Sequence, residues 1–88
     1  MSTTDGVTAA PAPTVEYVAA EIVAPVLGVP GVGRDADFFE LEATSLHMVQ
    51  IVAKVQSLFG IELPLPDLFD EPTVAGLVWL IERELNQA

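Results

Sequence analysis

Ser45 and His47, two residues apart in "ATSLHMVQ", are the side chains in this chain whose types could do chemistry. A nucleophilic serine needs a base within hydrogen-bond reach and a third group that orients the base. His47 is the sole histidine. If both residues fall in the first turn of a helix, they point to different sides, because i and i+2 side chains do not face each other. No G-x-S-x-G elbow is present. The paired acids Asp35 with Asp37 and Asp70 with Glu71 lie in loop-like sequence where acids are commonplace. Catalysis by the chain itself is not expected, so the catalytic set is empty. A metal centre is not expected either. There are 0 cysteines and 1 histidine, and no acidic spacing resembles a calcium loop.

Two other uses of Ser45 remain. As a plain helix cap it is worth about 1 kcal/mol. The capping-box pattern is missing, since Met48 rather than Glu or Gln stands three residues on. If Thr44 takes the cap instead, Ser45 enters the first turn with its hydroxyl exposed beside unpaired N–H groups. An anion attached there is stabilised by those donors and by the positive helix end.

The elements that must position Ser45 follow from periodicity. "MSTTDGVTAAPAP", residues 1–13, lacks a pattern and reads as a flexible arm. Thr14 caps a first helix in which Val15, Val18, Ala19, Ile22 and Val26 recur at spacings of three and four. Pro25 lies inside that pattern and predicts a kink or an early end near Gly28. From Gly28 to Thr44 runs a long connection, ordered if Phe38, Phe39 and Leu41 pin it, each burial contributing roughly 1.5–3 kcal/mol. A second helix spans Ser45 to Phe59 and ends at Gly60. Its main stripe is Met48, Ile51, Val52, Val55 and Phe59, and a weaker one holds Leu46, Val49, Gln50 and Ala53. The prolines of "IELPLPDLFDEP" leave room for one helical turn around Asp67 to Phe69. Thr73 caps a last helix with Val74, Leu77, Val78, Ile81 and Leu85 inward. The fold class is all-α: three main helices plus a short one, a small four-helix bundle over residues 14–85 with a tail at 86–88.

Composition narrows the partners. Thirteen acids against three Lys and Arg give a net charge of −10. Phosphate neutralisation requires basic groups, so nucleic acid is excluded, and an anionic membrane surface is disfavoured. Basic protein partners are the natural complement. Neither a signal peptide nor a membrane-spanning run is visible, and a cytoplasmic monomer is expected.

The motif "DADFFELEATSL" resembles the "D-x-F-F-E-L-G-G-D-S-L" modification segment of acyl and peptidyl carrier proteins, and "GIELPLPDLFDEPTVAGL" resembles the same family's third-helix region. The likeness runs from about Val15 to Leu85. It implies an acyl-carrier-type bundle in which Ser45 receives 4′-phosphopantetheine from coenzyme A, through a separate phosphopantetheinyl transferase using magnesium. The arm would import the thiol that the chain lacks. It further implies thioester-bound intermediates passed from an adenylation or acyl-loading enzyme to condensing or tailoring enzymes of natural-product biosynthesis. The second helix has Lys54 and no acid, unlike the fatty-acid members, so the peptidyl type stands ahead of the polyketide acyl type.

This sequence departs from the family pattern at three positions. Thr44 replaces the usual Asp, keeping a cap oxygen but dropping a charge that bears on transferase choice. Glu42 and Ala43 replace Gly-Gly, which implies that a positive φ is not required there or that the loop takes another path.

Leu46, Val49 and Ala53, with His47 beside them, are the expected docking strip for enzymes that reach the arm. His47 is otherwise a solvated residue. Trp79 is expected to fill a core edge rather than bind. The competing class is an unmodified helical interaction module using the Leu46, Val49 and Ala53 strip. A Met start and an end soon after the last helix read as a freestanding carrier, while the Pro-Ala arm would equally serve as an interdomain linker in an excised module.

Overall fold

The first helix begins at Thr14, whose side-chain oxygen accepts from the Tyr17 N–H at 3.0 Å. In the computed structural model, which describes residues 12–87, this helix (α1) is continuous but not uniform. It is α-helical over Val15–Tyr17, π-helical over Val18–Val23 and α-helical again over Ala24–Leu27. The Ala24 N–H reaches the Ala19 carbonyl, an i to i+5 bond. The wide turn lies immediately before Pro25, whose missing N–H is the break that the sequence announces. It also rotates the buried stripe: Val23 and Ala24 join Val18 and Ile22 in the core, while Val26 is only half-buried. Gly28 ends the helix at φ 71°, a left-handed conformation open to glycine without a Cβ penalty.

The second helix, α2, spans Ser45–Phe59 and stops at Gly60, as its periodicity predicts. A short helix, α3, covers Leu65–Asp70, and α4 covers Val74–Gln87. The last helix therefore runs through positions 86 and 87, where the sequence pattern predicts a tail. The arm expected over 1–13 lies, apart from Ala12 and Pro13, outside the described residues. No strand occurs among the described residues. The middle of α1 packs on α2 and α4, and α3 sits against both α2 and α4. Ile22, Met48, Ile51, Leu68, Leu77 and Ile81 are fully buried where these helices meet.

Thr73 caps α4 as expected, its hydroxyl accepting from the Gly76 N–H at 3.0 Å. Leu80 is buried beyond the expected inward face, and Gly76 is buried too. At Gly76 the absence of a side chain is a packing requirement. A Cβ there would overlap the Glu71 carbonyl oxygen and side chain. Because one of the obstacles is backbone, it cannot swing aside. Gly76→Ala should therefore lower stability by about 1–3 kcal/mol, the usual range for overpacking. Urea unfolding followed by circular dichroism checks this, and an unchanged midpoint would show that the α3–α4 joint yields.

Candidate functional site

The connection leading to Ser45 is held at several points. Phe38 is fully buried, and its N–H donates to the Pro72 carbonyl at 2.8 Å. The Arg34 carbonyl accepts from the Ala75 N–H at 3.1 Å, satisfying a first-turn donor of α4. From Phe38 onward the chain forms a 3₁₀ turn over Phe38–Leu41, opened by the Asp37 carboxylate accepting from the Phe39 N–H at 2.8 Å. Phe39 pins the loop differently from the sequence expectation. It is half-exposed and stacks on Phe69 of α3, ring centroids 5.9 Å apart at 9°.

Glu42 closes the turn at φ 68° and ψ 26°, the only positive φ outside glycine among the described residues. The expectation that loss of both glycines removes the need for positive φ is thus overturned at this position. The turn demands it because the Glu42 and Ala43 N–H groups double back to Phe39 and Phe38 carbonyls, at 3.1 and 3.0 Å. Ala43 is buried without a positive φ.

Thr44, in extended conformation, caps α2 and leaves Ser45 as its first helical residue, exposed to solvent. A capping box is present after all, with histidine as its third member. The Thr44 hydroxyl accepts from the His47 N–H at 3.3 Å, and the Thr44 N–H donates to His47 Nδ1 at 2.9 Å. The T-x-x-H spacing carried this signal, but imidazole is not the Glu or Gln by which such boxes are read. His47 is consequently half-buried rather than simply solvated. Its ring turns to Thr44, and no hydrogen bond joins it to Ser45 among the described residues. The N–H groups of Ser45 and Leu46 have no protein acceptor among the described residues.

Beyond the serine, Leu46 is 64% and Val49 48% exposed, and Ala53 is exposed as well, so all three stand clear of the core. Trp79 does not fill a core edge. It is 60% exposed, with the Arg83 guanidinium 5.2 Å from its ring centroid. Arg83 in turn donates to Asp67 at 2.9 Å and to Glu84 at 3.2 Å, and these carboxylates hold its pKa above the ordinary arginine value. This set joins α4 to α3. The described residues contain no group of three or more His, Asp or Glu that could hold a metal ion, and no helix long and apolar enough to cross a membrane.

Residues 18–81 match the family described as "Phosphopantetheine attachment site". The chain belongs to that family. Its prosthetic group is 4′-phosphopantetheine, and the carrier's solved relatives share its helical architecture. It is similar to a peptidyl carrier protein solved in complex with the phosphopantetheine transferase Sfp and coenzyme A: 36% identity, TM-score 0.74, covering 84% of this chain and 96% of that one. It also resembles BlmI, a type-II acyl-carrier protein from Streptomyces verticillus involved in bleomycin biosynthesis, with 34% identity, TM-score 0.75 and coverage of 81% and 84%. The dimodular nonribosomal peptide synthase of Bacillus subtilis is 43% identical over 68 residues, which is 77% of this chain and 3% of that protein. The chain spans 1–5% of the length of the curated relatives it matches.

The site fits the family's group. A solvent-facing hydroxyl next to two free N–H donors at the start of a 15-residue helix suits a phosphodiester. The left-handed turn before it yields a test of local strain. Glu42→Gly removes a Cβ penalty of roughly 1–2 kcal/mol but frees the unfolded chain by roughly 0.4–1 kcal/mol. The variant should gain between about 0 and 1.6 kcal/mol of stability, read from the denaturation midpoint, whereas Glu42→Val should lose stability.

Proposed function

We propose that Ser45 bears the phosphopantetheine arm and that the chain is a non-catalytic peptidyl carrier. It hands aminoacyl or peptidyl groups between enzymes of nonribosomal peptide assembly. The observation that carries this reading is the position of Ser45, exposed at the first residue of α2 with the donors of Ser45 and Leu46 open beside it. The similar carrier solved with a transferase and coenzyme A, and the similarity to a nonribosomal peptide synthase, support the same role.

The chain's own contribution is presentation. Thr44 and His47 complete the cap, so Ser45 need not bend back onto the backbone and its oxygen stays available to a transferase. The open N–H groups at positions 45 and 46, together with the positive end of α2, stabilise negative charge on an attached phosphate. The arm supplies a thiol for thioester carriage, matching a chain with 0 cysteines. The His47 ring is turned to Thr44 and makes no hydrogen bond to Ser45 among the described residues, and in the proposed reaction a separate transferase performs the attachment. An amino-acid-activating enzyme loads the arm, and condensing or tailoring enzymes unload it, within the cytoplasm. Docking uses the Leu46, Val49 and Ala53 strip, whose burial in a partner desolvates little polar surface. No acid lies between Ser45 and Phe59, so recognition on this helix is apolar while the −10 net charge acts at longer range.

Incubation with coenzyme A and a broad-specificity transferase, followed by intact-mass measurement, tests the attachment. The parent should gain one pantetheinyl increment, and Ser45→Ala should gain none. Because Thr44 supplies the cap, that variant should lose at most about 1 kcal/mol of stability. An increment persisting on Ser45→Ala would place the arm elsewhere.

The docking strip is tested separately with Val49→Asp and Ala53→Asp on the arm-bearing protein. Both side chains are exposed, so circular dichroism and melting should stay close to the parent. Loading by the cognate activating enzyme should fall about tenfold or more, chiefly through KM, if a hot-spot contact of about 1.4 kcal/mol is lost. Unchanged loading would move docking to the Phe39 and Phe69 face.

A further inference from the structure

We infer that His47 is a positioning residue for the attachment reaction. As a neutral imidazole it holds the Thr44–Ser45 junction by accepting from the Thr44 N–H through Nδ1, and protonation of the ring breaks that bond. The inference rests on Ser45 being the attached residue.

The Thr44 N–H donates to Nδ1 at 2.9 Å, so that nitrogen must carry a lone pair and the ring proton must sit on Nε2. The Thr44 hydroxyl lies 3.2 Å from the same nitrogen and accepts from the His47 N–H at 3.3 Å. Thr44 is thus gripped through both its backbone and its side chain. The Thr44–Ser45 peptide is planar, so fixing Thr44 at φ −106° and ψ 173° fixes where the Ser45 N–H and Cα point. The hydroxyl and the free donors beside it are aimed by a residue that touches neither.

A Glu or Gln in the third position of such a box can accept at any pH near neutrality. Histidine cannot. Its protonated ring presents an N–H at Nδ1 toward the Thr44 N–H, two donors face to face, and keeps only the Thr44 hydroxyl oxygen, 3.2 Å away, as an acceptor. No ion pair joins the ring to a charged group among the described residues. The charged residues flanking it in sequence are Glu40, Glu42 and Lys54. The ion pairs of the described residues are Arg34 with Asp35 and Arg83 with Asp67 and Glu84, so no carboxylate or cation on the elements packed against α2 pairs with His47. The bond from the Thr44 N–H to the ring therefore exists only in the neutral imidazole.

The parent, His47→Gln and His47→Ala proteins separate these roles. Transfer of pantetheine from coenzyme A is followed by mass at fixed transferase concentration between pH 5.5 and 8, with kcat and KM determined at each pH. At pH 8 the Gln variant, which retains an acceptor, should match the parent, and the Ala variant should fall by about 2- to 10-fold, the worth of one neutral hydrogen bond. Dividing the parent's kcat/KM by that of the Gln variant cancels the transferase's own pH response. That ratio should be lower, nearer the Ala variant's level, at the acid end of the series than at pH 8. The Thr44 amide, followed by hydrogen exchange, should lose protection in acid in the parent and at every pH in His47→Ala, while staying protected in His47→Gln.

A flat ratio, or parent-like transfer to His47→Ala, overturns the positioning role and leaves the Ser45 assignment standing. Absence of transfer to the parent removes the Ser45 reading and this inference with it. If His47→Ala fails to fold, the parent-to-Gln ratio across pH decides alone.

Discussion

Everything at the serine depends on Phe38 being fixed twice, by its ring in the core and by its N–H on the Pro72 carbonyl. Burial of the ring contributes roughly 1.5–3 kcal/mol, enough to order a connection that has little regular structure of its own. The tie is mutual. The loop lends its Arg34 carbonyl to α4, and the segment before α4 lends its Pro72 carbonyl to the loop. Backbone groups that would otherwise be left without partners in a partly buried seam are satisfied by each other. Once Phe38 is set, the 3₁₀ turn, the left-handed Glu42, buried Ala43 and the Thr44 cap follow in sequence without slack.

The polar and apolar parts of the surface divide the work. α2 offers Leu46, Val49 and Ala53 to solvent near the serine and carries a single charged residue, Lys54. The acids are elsewhere, and one of them, Asp67, is occupied with Arg83 in joining α3 to α4. In the proposed carrier role a partner is drawn in by a diffuse negative field and then gripped by an apolar patch. Long-range approach and close recognition therefore rest on different residues, and a substitution can alter one without the other.

Much of this is legible from residues alone. The stripe Met48, Ile51, Val52, Val55 and Phe59 defines α2 and its buried face, and Gly60 defines its end. Thr14 and Thr73 announce two further starts. The exposed strip is legible as well, because a helix apolar over so wide an arc cannot bury all of it. What escapes is conformational. Pro25 signals trouble in α1, but periodicity assumes 3.6 residues per turn and cannot foresee the wider turn that shifts burial to Val23 and Ala24. The positive φ of Glu42 escapes because no glycine marks it. The role of His47 escapes because a box is read by carboxylate or carboxamide, and imidazole offers the same lone pair in another shape. Trp79 misleads because an aromatic ring beside an apolar stripe reads as filler, when Arg83 gives it a partner at the surface.

The bond from Phe38 to Pro72 also bears on the order in which the molecule comes into being. During synthesis the serine emerges well before the residues that anchor the loop in front of it. Until the stretch through Ala75 has left the ribosome, neither Pro72 nor the first turn of α4 is there to receive Phe38 and Arg34. A nascent or truncated chain can display the right motif without its geometry. The setting of Ser45 thus serves as a certificate of completion, issued only when the C-terminal helix has closed the bundle.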